Sequence, residues 1–76
     1  MSSGNSHLKN LKRFRLKKGW SQERLAREAG ISYITLVKIE RGNIQNPKLE
    51  TLIKLAKALG VSIDRLVGSQ IGKRKF

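Results

Sequence analysis

The segment from Ser21 to Gly42 constrains the fold of this chain more than any other. Its apolar residues recur at helical spacing, about 100° per residue, in two separate groups. The first group is Leu25, Ala26 and Ala29, and the second is Leu36 and Ile39. Gly30 interrupts the pattern where the first helix must end, because glycine adopts a positive φ without the strain that a Cβ atom causes. The segment therefore predicts two short helices joined by a tight turn.

Two serines indicate where these helices begin. Ser21 and Ser32 each stand directly before an apolar, helically spaced segment. A serine hydroxyl in that position accepts a hydrogen bond from the free N–H groups of the first helical turn. Between them, the small side chain of Ala26 allows a second helix to cross closely over the first.

The residues of this segment resemble the helix-turn-helix of the phage repressor and Cro-like family, also called the xenobiotic-response-element family. The resemblance rests on Gln22, Leu25, Ala26, Ala29, Gly30, Ile31, Leu36, Ile39, Glu40 and Gly42, and it continues to about Val67. It implies an all-α fold, a compact bundle of five short helices like the DNA-binding domain of lambda repressor, with helices two and three as the helix-turn-helix. It also implies a transcriptional regulator, and specifically a repressor, that binds double-stranded operator DNA as a homodimer.

Composition and charge agree with a nucleic-acid partner. The chain has 76 residues, enough for one small domain, with a formal net charge of +12 and a sequence pI near 11.1. Such a balance favours association with a polyanion. No cysteine is present and no apolar run approaches the roughly 20 residues of a membrane span. We therefore expect a cytoplasmic, nucleoid-associated protein with no cofactor, metal, small-molecule ligand or membrane partner.

The chain divides into three parts. Residues 1–6 are small and polar, which indicates a disordered arm or a remnant of the expression vector. Residues 7–68 form the predicted helix-turn-helix domain, with His7 expected to be a solvated residue near the first helix. Residues 69–76 form a basic tail that ends in KRKF.

The first helix, predicted from about Leu8 to Lys18, carries a charge on its apolar side. Arg15 falls on the same side as Leu8 and Leu11, where an unpaired guanidinium would be costly to bury. The family resemblance implies that Arg15 pairs with Glu40 at the end of the recognition helix, as a structural bond. The following Trp20 is predicted to be a hydrophobic cap on the core.

The predicted recognition helix runs from Ser32 to Arg41. With Leu36 and Ile39 inward, its outward arc carries apolar residues that a solvated helix rarely exposes together. In a major groove, Lys38 can donate to guanine, the Tyr33 hydroxyl can form a hydrogen bond, and the apolar side chains can pack on thymine methyl groups. The predicted base-contacting residues are Ser32, Tyr33, Ile34, Val37 and Lys38. The family often has glutamine at the position of Tyr33 and polar residues at the positions of Ile34 and Val37.

Contacts with DNA phosphates are implied mainly for the loop after the recognition helix. The resemblance assigns this role to Gln22, Arg41, Asn43, Gln45, Asn46 and Lys48, and it implies that Gln22 also braces the start of the recognition helix. Asn46 is predicted to be the N-cap of the fourth helix and Pro47 its first residue. The asparagine, glycine and proline content of the loop is equally consistent with an ordinary turn.

The remaining helices are predicted to complete the core and to form a dimer. Residues 49–59 form an amphipathic helix, with Leu49, Leu52, Leu55, Ala56 and Leu59 inward. A last short helix begins at Ser62, with Val61 and Leu66 inward. In this helix Ile63 and Val67 are candidates for dimer contacts, although completion of the core explains them equally well.

Three other functions compete with this interpretation. An enzyme is not favoured, because five scattered carboxylates, one histidine and no cysteine form no recognisable catalytic arrangement. A membrane-active cationic helix would need neither the narrow apolar stripes nor the capped turns of this chain. The remaining alternative is a helix-turn-helix that acts mainly in protein interaction, such as an antitoxin or the amino-terminal part of a larger regulator.

Overall fold

The computed structural model describes residue 8, residues 10–44 and residues 46–67, and within these it contains five α-helices and no strand. The helices are α1 (Leu11–Lys17), α2 (Gln22–Ala29), α3 (Tyr33–Glu40), α4 (Leu49–Leu59) and α5 (Ile63–Val67). The predicted all-α bundle of five short helices is confirmed. His7, the predicted arm 1–6, the tail 69–76 and both ends of the predicted 7–68 domain lie outside the described residues.

Serine N-caps begin three of the five helices. The hydroxyls of Ser21, Ser32 and Ser62 each accept a hydrogen bond from the backbone N–H three residues later, at 3.0, 3.1 and 3.2 Å. Each bond satisfies one of the N–H groups that the first helical turn leaves without a partner. The helix starts predicted at these three serines are confirmed.

The turn between α2 and α3 is closed by Gly30. This residue has φ 72° and ψ 35°, in the left-handed region. The next N–H, that of Ile31, donates to the carbonyl of Ala26 at 3.0 Å, and the Ile31 side chain packs on the core. This arrangement satisfies free carbonyl groups at the end of a helix and reverses the chain. It therefore sets the direction in which α3 leaves α2.

The start of α4 differs from the sequence prediction. Lys48 is its N-cap, with φ −64°, ψ 150° and no side-chain capping bond, and Leu49 is its first residue. The prediction of Asn46 as N-cap and Pro47 as first helical residue was wrong. Residue preferences identify positions compatible with a helix start, whereas the path of the loop decides where the first backbone bond forms. That bond runs from the N–H of Leu52 to the carbonyl of Lys48, at 3.1 Å.

The buried core draws on every helix, and α2 lies at its centre. Its residues are Leu8, Leu11, Leu25, Ala26, Ala29, Leu36, Ile39, Leu55, Ala56, Leu59 and Leu66. Helix α2 packs against both α3 and α4, while α5 packs against α1 and α4. The small side chains of Ala26 and Ala29 permit close approach of the helices that pack on α2. As a result α2 covers one face of α3, and within the described residues the opposite face is uncovered.

Of the predictions for two apolar residues at the edge of the core, one is confirmed and one was wrong. Trp20 is half-buried and packs on the core as predicted, with Lys18 Nζ and Arg24 Cζ each 5.0 Å from the ring centroid. Leu49 was predicted to point inward, but 64% of its surface is exposed. Helical periodicity predicts the direction of a side chain but not whether another element covers it. Leu49 lies in the first turn of α4, where none of the described helices covers it.

Candidate nucleic-acid interface

A buried ion pair fixes the end of α3 to α1. The Nε and Nη2 atoms of Arg15 donate to the two carboxylate oxygens of Glu40, at 2.8 and 3.1 Å. The two side chains are only 8% and 4% exposed. The Nη1 atom of Arg15 donates to the carbonyl of Trp20 at 2.9 Å, so three guanidinium nitrogens have partners. Such bidentate geometry limits both the distance and the orientation of the two helices.

Gln22 joins this ion pair. Its Nε2 atom donates to Glu40 Oε1 at 2.9 Å, so the first residue of α2 contacts the last residue of α3. The resemblance implied that Gln22 braces the start of α3, and that expectation was wrong: the contact is at the end of α3. The start of α3 is held instead by its own N-cap, Ser32. Half-buried Gln22 has a second amide N–H that the bond to Glu40 leaves available.

Four of the five predicted base-contacting residues lie together on the uncovered face of α3. Tyr33 and Ile34 are 47% and 63% exposed, Val37 is half-buried and Lys38 is exposed. These four line one shallow cleft. Ser32, the fifth, is exposed at the start of the helix, and its oxygen already accepts the N–H of Thr35. The structure therefore places an apolar surface with one ammonium group where a ligand can reach it.

The predicted phosphate-contacting residues of the loop fall into two groups on different sides of α3. Arg41 and Asn43 line the same cleft as the base-contacting candidates. Asn46 and Lys48 line a second depression with Thr35. Gln45 lies outside the described residues. The uncovered face of α3 is therefore flanked by polar and cationic side chains.

The loop itself folds back onto the end of α3. The N–H groups of Asn43 and Ile44 both donate to the carbonyl of Lys38, at 2.8 and 3.2 Å. Gly42 makes this reversal possible with φ 85°, and the Ile44 side chain packs on the core. Because both N–H groups are used internally, the exposed side chain of Asn43 rather than its N–H group is available for a ligand.

The charges on α3 and on the loop after it attract anions. Between Glu28 and Glu50 the only carboxylate is that of Glu40, which is buried and paired with Arg15. Lys38, Arg41 and Lys48 in the same interval are at least partly exposed. Within this interval, therefore, no exposed carboxylate offsets these cations. A cationic surface of this kind raises the local concentration of a polyanion and speeds its association.

The candidate dimer residues are both used by the core. Ile63 and Val67 are half-buried and pack against the buried cluster, which leaves a smaller apolar area for a partner than two exposed residues would. Sequence reasoning missed another apolar pair, Leu49 and Ile53, which are exposed on α4. Their i, i+4 spacing places them on one side of the helix, and Ile53 stands outside the inward stripe, a signal that the sequence already contained.

A metal site and a membrane span would each need features that the described residues lack. Within residues 8, 10–44 and 46–67, no three or more histidine, cysteine, aspartate or glutamate side chains are grouped so that they could hold a metal ion. None of the five described helices combines the length and apolar character needed to cross a membrane.

The chain is similar to known regulators over most of its length. It is 43% identical over 60 residues to a hypothetical transcription factor of Neisseria meningitidis, an alignment that covers 76% of this chain and 54% of that protein. It is 43% identical over 53 residues to the cryptic phage CTXphi transcriptional repressor RstR of Vibrio cholerae, covering 70% and 47% of the two chains. The chain thus spans about half the length of these relatives.

A solved structure and a family model agree with these relatives. The crystal structure of SinR, described as a master regulator for biofilm formation in complex with DNA, superposes with a TM-score of 0.74 at 36% identity, covering 76% of this chain and 92% of that one. The helix-turn-helix family model matches residues 11–66. Since that match includes α1 to α4 and most of α5, the chain belongs to the Cro/C1-type helix-turn-helix family.

Proposed function

We propose that this chain is a sequence-specific, double-stranded-DNA-binding module of a transcriptional regulator. The observation that carries the proposal is the uncovered face of α3, which is flanked by cationic side chains. Helix α2 and the Arg15–Glu40 pair fix the position of α3 from its other side. A B-DNA major groove about 12 Å wide admits one α-helix about 10–12 Å across. The SinR structure, a complex with DNA, supports this role for a similar fold.

In this proposal the contacts divide between bases and phosphates. Ser32, Tyr33, Ile34, Val37 and Lys38 face base edges. The residues proposed for the backbone are Gln22, Arg41, Asn43, Gln45, Asn46 and Lys48. Contacts with the backbone position the helix, and contacts with base edges carry the sequence information. Gln22 is suited to the first task because its bond to Glu40 orients the amide while leaving one N–H for a phosphate.

The regulator is further proposed to be a repressor that binds as a homodimer. RstR, to which the chain is 43% identical over 53 residues, is named a transcriptional repressor. Two copies related by a two-fold axis would read two half-sites about 34 Å apart. The exposed parts of Ile63 and Val67 are the proposed dimer contacts. Sedimentation of the protein with and without its DNA site tests this assembly, and a single protomer on a full site would refute it.

Selection from random duplex DNA tests the proposed function. At about 0.15 M salt, where loose charge attraction is screened, the protein is expected to enrich a two-fold symmetric motif. Absence of any motif, with binding that fades steadily as salt rises, would refute sequence-specific recognition. In that case the helix-turn-helix would act in protein interaction, and specificity would reside in a partner.

Variants on α3 separate these two functions further. Substituting Tyr33→Phe or Lys38→Ala is expected to change the preferred site, because both side chains would contact bases. Lys57→Ala is the matched control, since it removes the same charge from an exposed position on α4. If Lys38→Ala and Lys57→Ala have the same affinity as each other for every DNA site, α3 does not read DNA.

A further inference from the structure

We propose that α3 selects its DNA site chiefly through the 5-methyl groups of pyrimidines, so that thymines lie at the centre of each half-site. This inference rests on the proposed function and adds the chemical class that the interface recognises. The ligand group is the C5 methyl of thymine in the major groove, which is the apolar feature among the base edges there. The same group on 5-methylcytosine belongs to the class.

The first support is the position of the apolar side chains. Ile34 and Tyr33 precede Val37 by three and four residues, so each of them is a neighbour of Val37 on the surface of the helix. They line one cleft, and Ile34 leaves 63% of its surface exposed. The buried core contains none of these three residues. Their apolar surface is therefore available to a ligand rather than used in folding.

The second support is the shortage of hydrogen-bonding side chains on α3 itself. Paired hydrogen bonds from arginine to guanine, or from asparagine and glutamine to adenine, are the usual means of reading bases. Residues 32–40, SYITLVKIE, contain no arginine, asparagine or glutamine. The donors in this segment are Lys38 and the hydroxyls of Ser32, Tyr33 and half-buried Thr35. Arg41 and Asn43 line the same cleft beyond the end of α3, where they are proposed to contact phosphates. Discrimination by α3 therefore depends on apolar contact more than on paired hydrogen bonds.

The third support is the charge around the apolar surface. Lys38 and Arg41 line the same cleft, and the chain carries a formal net charge of +12. A second copy docked on this cleft would bring like charges together. Duplex DNA presents phosphates beside the groove and methyl groups within it, so it matches both the cationic margin and the apolar centre.

Replacement of thymine by deoxyuridine tests the inference, because it removes the methyl group and keeps the base pairing. On the selected site, replacing each contacted thymidine by deoxyuridine is expected to weaken binding about fourfold, because the contact of one buried methyl-sized group is lost. Uridines placed outside the half-sites control for general effects on the duplex. In a site where a contacted T·A pair is changed to C·G, 5-methylation of that cytosine is expected to recover about fourfold.

Variants assign the effect to the side chains. Ile34→Ala and Val37→Ala are expected to bind thymine and uridine sites with nearly equal affinity, while Ile53→Ala, an exposed apolar residue on α4, keeps the preference for thymine. Equal affinity of the unaltered protein for both sites, with sequence selectivity intact, would overturn methyl recognition and leave the proposed function standing. If the unaltered protein shows no selective binding even to DNA that contains thymine, the proposed function is refuted instead.

Discussion

Removal of the Glu40 carboxylate is the perturbation from which we expect the largest loss of stability. In Glu40→Ala, the guanidinium of Arg15 loses two hydrogen bonds and its counter-ion, and the amide of Gln22 loses one more. The Arg15 side chain is only 8% exposed, so water cannot replace these partners without a local opening of the structure. The change therefore leaves a positive charge buried without compensation.

The expected cost approaches the whole stability of the domain. Removing one partner of a buried ion pair destabilises proteins by about 3–5 kcal/mol. A domain of about 60 residues has a free energy of unfolding of about 3–9 kcal/mol, at roughly 0.05–0.15 kcal/mol per residue. Glu40→Ala is therefore expected to leave a large unfolded fraction at 25 °C. Arg15→Met combined with Glu40→Leu removes both charges and is expected to restore much of the stability.

Urea unfolding followed by fluorescence measures these changes, because Trp20 is the only tryptophan and its carbonyl is bonded to Arg15. The matched control is Glu28→Ala. It breaks the Arg24–Glu28 pair, whose side chains are 46% and 41% exposed, and solvent-exposed pairs contribute only about 0–1 kcal/mol. A loss below about 1 kcal/mol for Glu40→Ala would refute the reasoning, since it would mean that solvent already reaches the pair.

Four further changes test the local structure and the proposed DNA contacts. Gly30→Ala is expected to cost about 1–2 kcal/mol from left-handed backbone strain alone, because a Cβ atom there meets nothing within 4 Å; an unchanged melting temperature would contradict this. Ser32→Ala should cost about 1 kcal/mol through loss of the N-cap bond to Thr35, measured as a lower urea midpoint with an unchanged m-value. Arg41→Gln should lower the slope of log affinity for DNA against log salt by about 0.9 for each phosphate that the arginine neutralises, whereas Gln22→Ala should weaken binding at an unchanged slope, because a neutral amide releases no counter-ion.

The helices of the central segment could be predicted from local chemistry. Serines and glycines set the limits of α2 and α3 through bonds within a few residues of the chain. The apolar stripes of Leu25 and Leu36 follow from helical periodicity. A pattern that depends only on near neighbours is visible in a sequence, and these elements were predicted for that reason.

The position of Arg15 could also be predicted, and the family resemblance gave its partner Glu40, but the third residue of this group could not be predicted. Periodicity placed a charge on the apolar side of α1, and burial then required a partner. That Gln22 would join the pair by bonding Glu40 was not predicted, because three residues from three helices meet only after α1, α2 and α3 have packed. The start of α4 and the exposure of Leu49 escaped prediction for a related reason, since loop path and coverage are properties of neighbouring elements.

The sequence by itself thus determined the presence of the helices, the serine caps of α2, α3 and α5 and the excess of positive charge, because each depends on residue type and short spacing. Only the tertiary structure decided which faces remain uncovered. Helix α3 contributes Leu36 and Ile39 to the core, yet it leaves Ile34 and Tyr33 exposed beside Lys38, because α2 covers one side of the helix and nothing in the described chain covers the other. The candidate interface is that uncovered side, and packing geometry determines its extent.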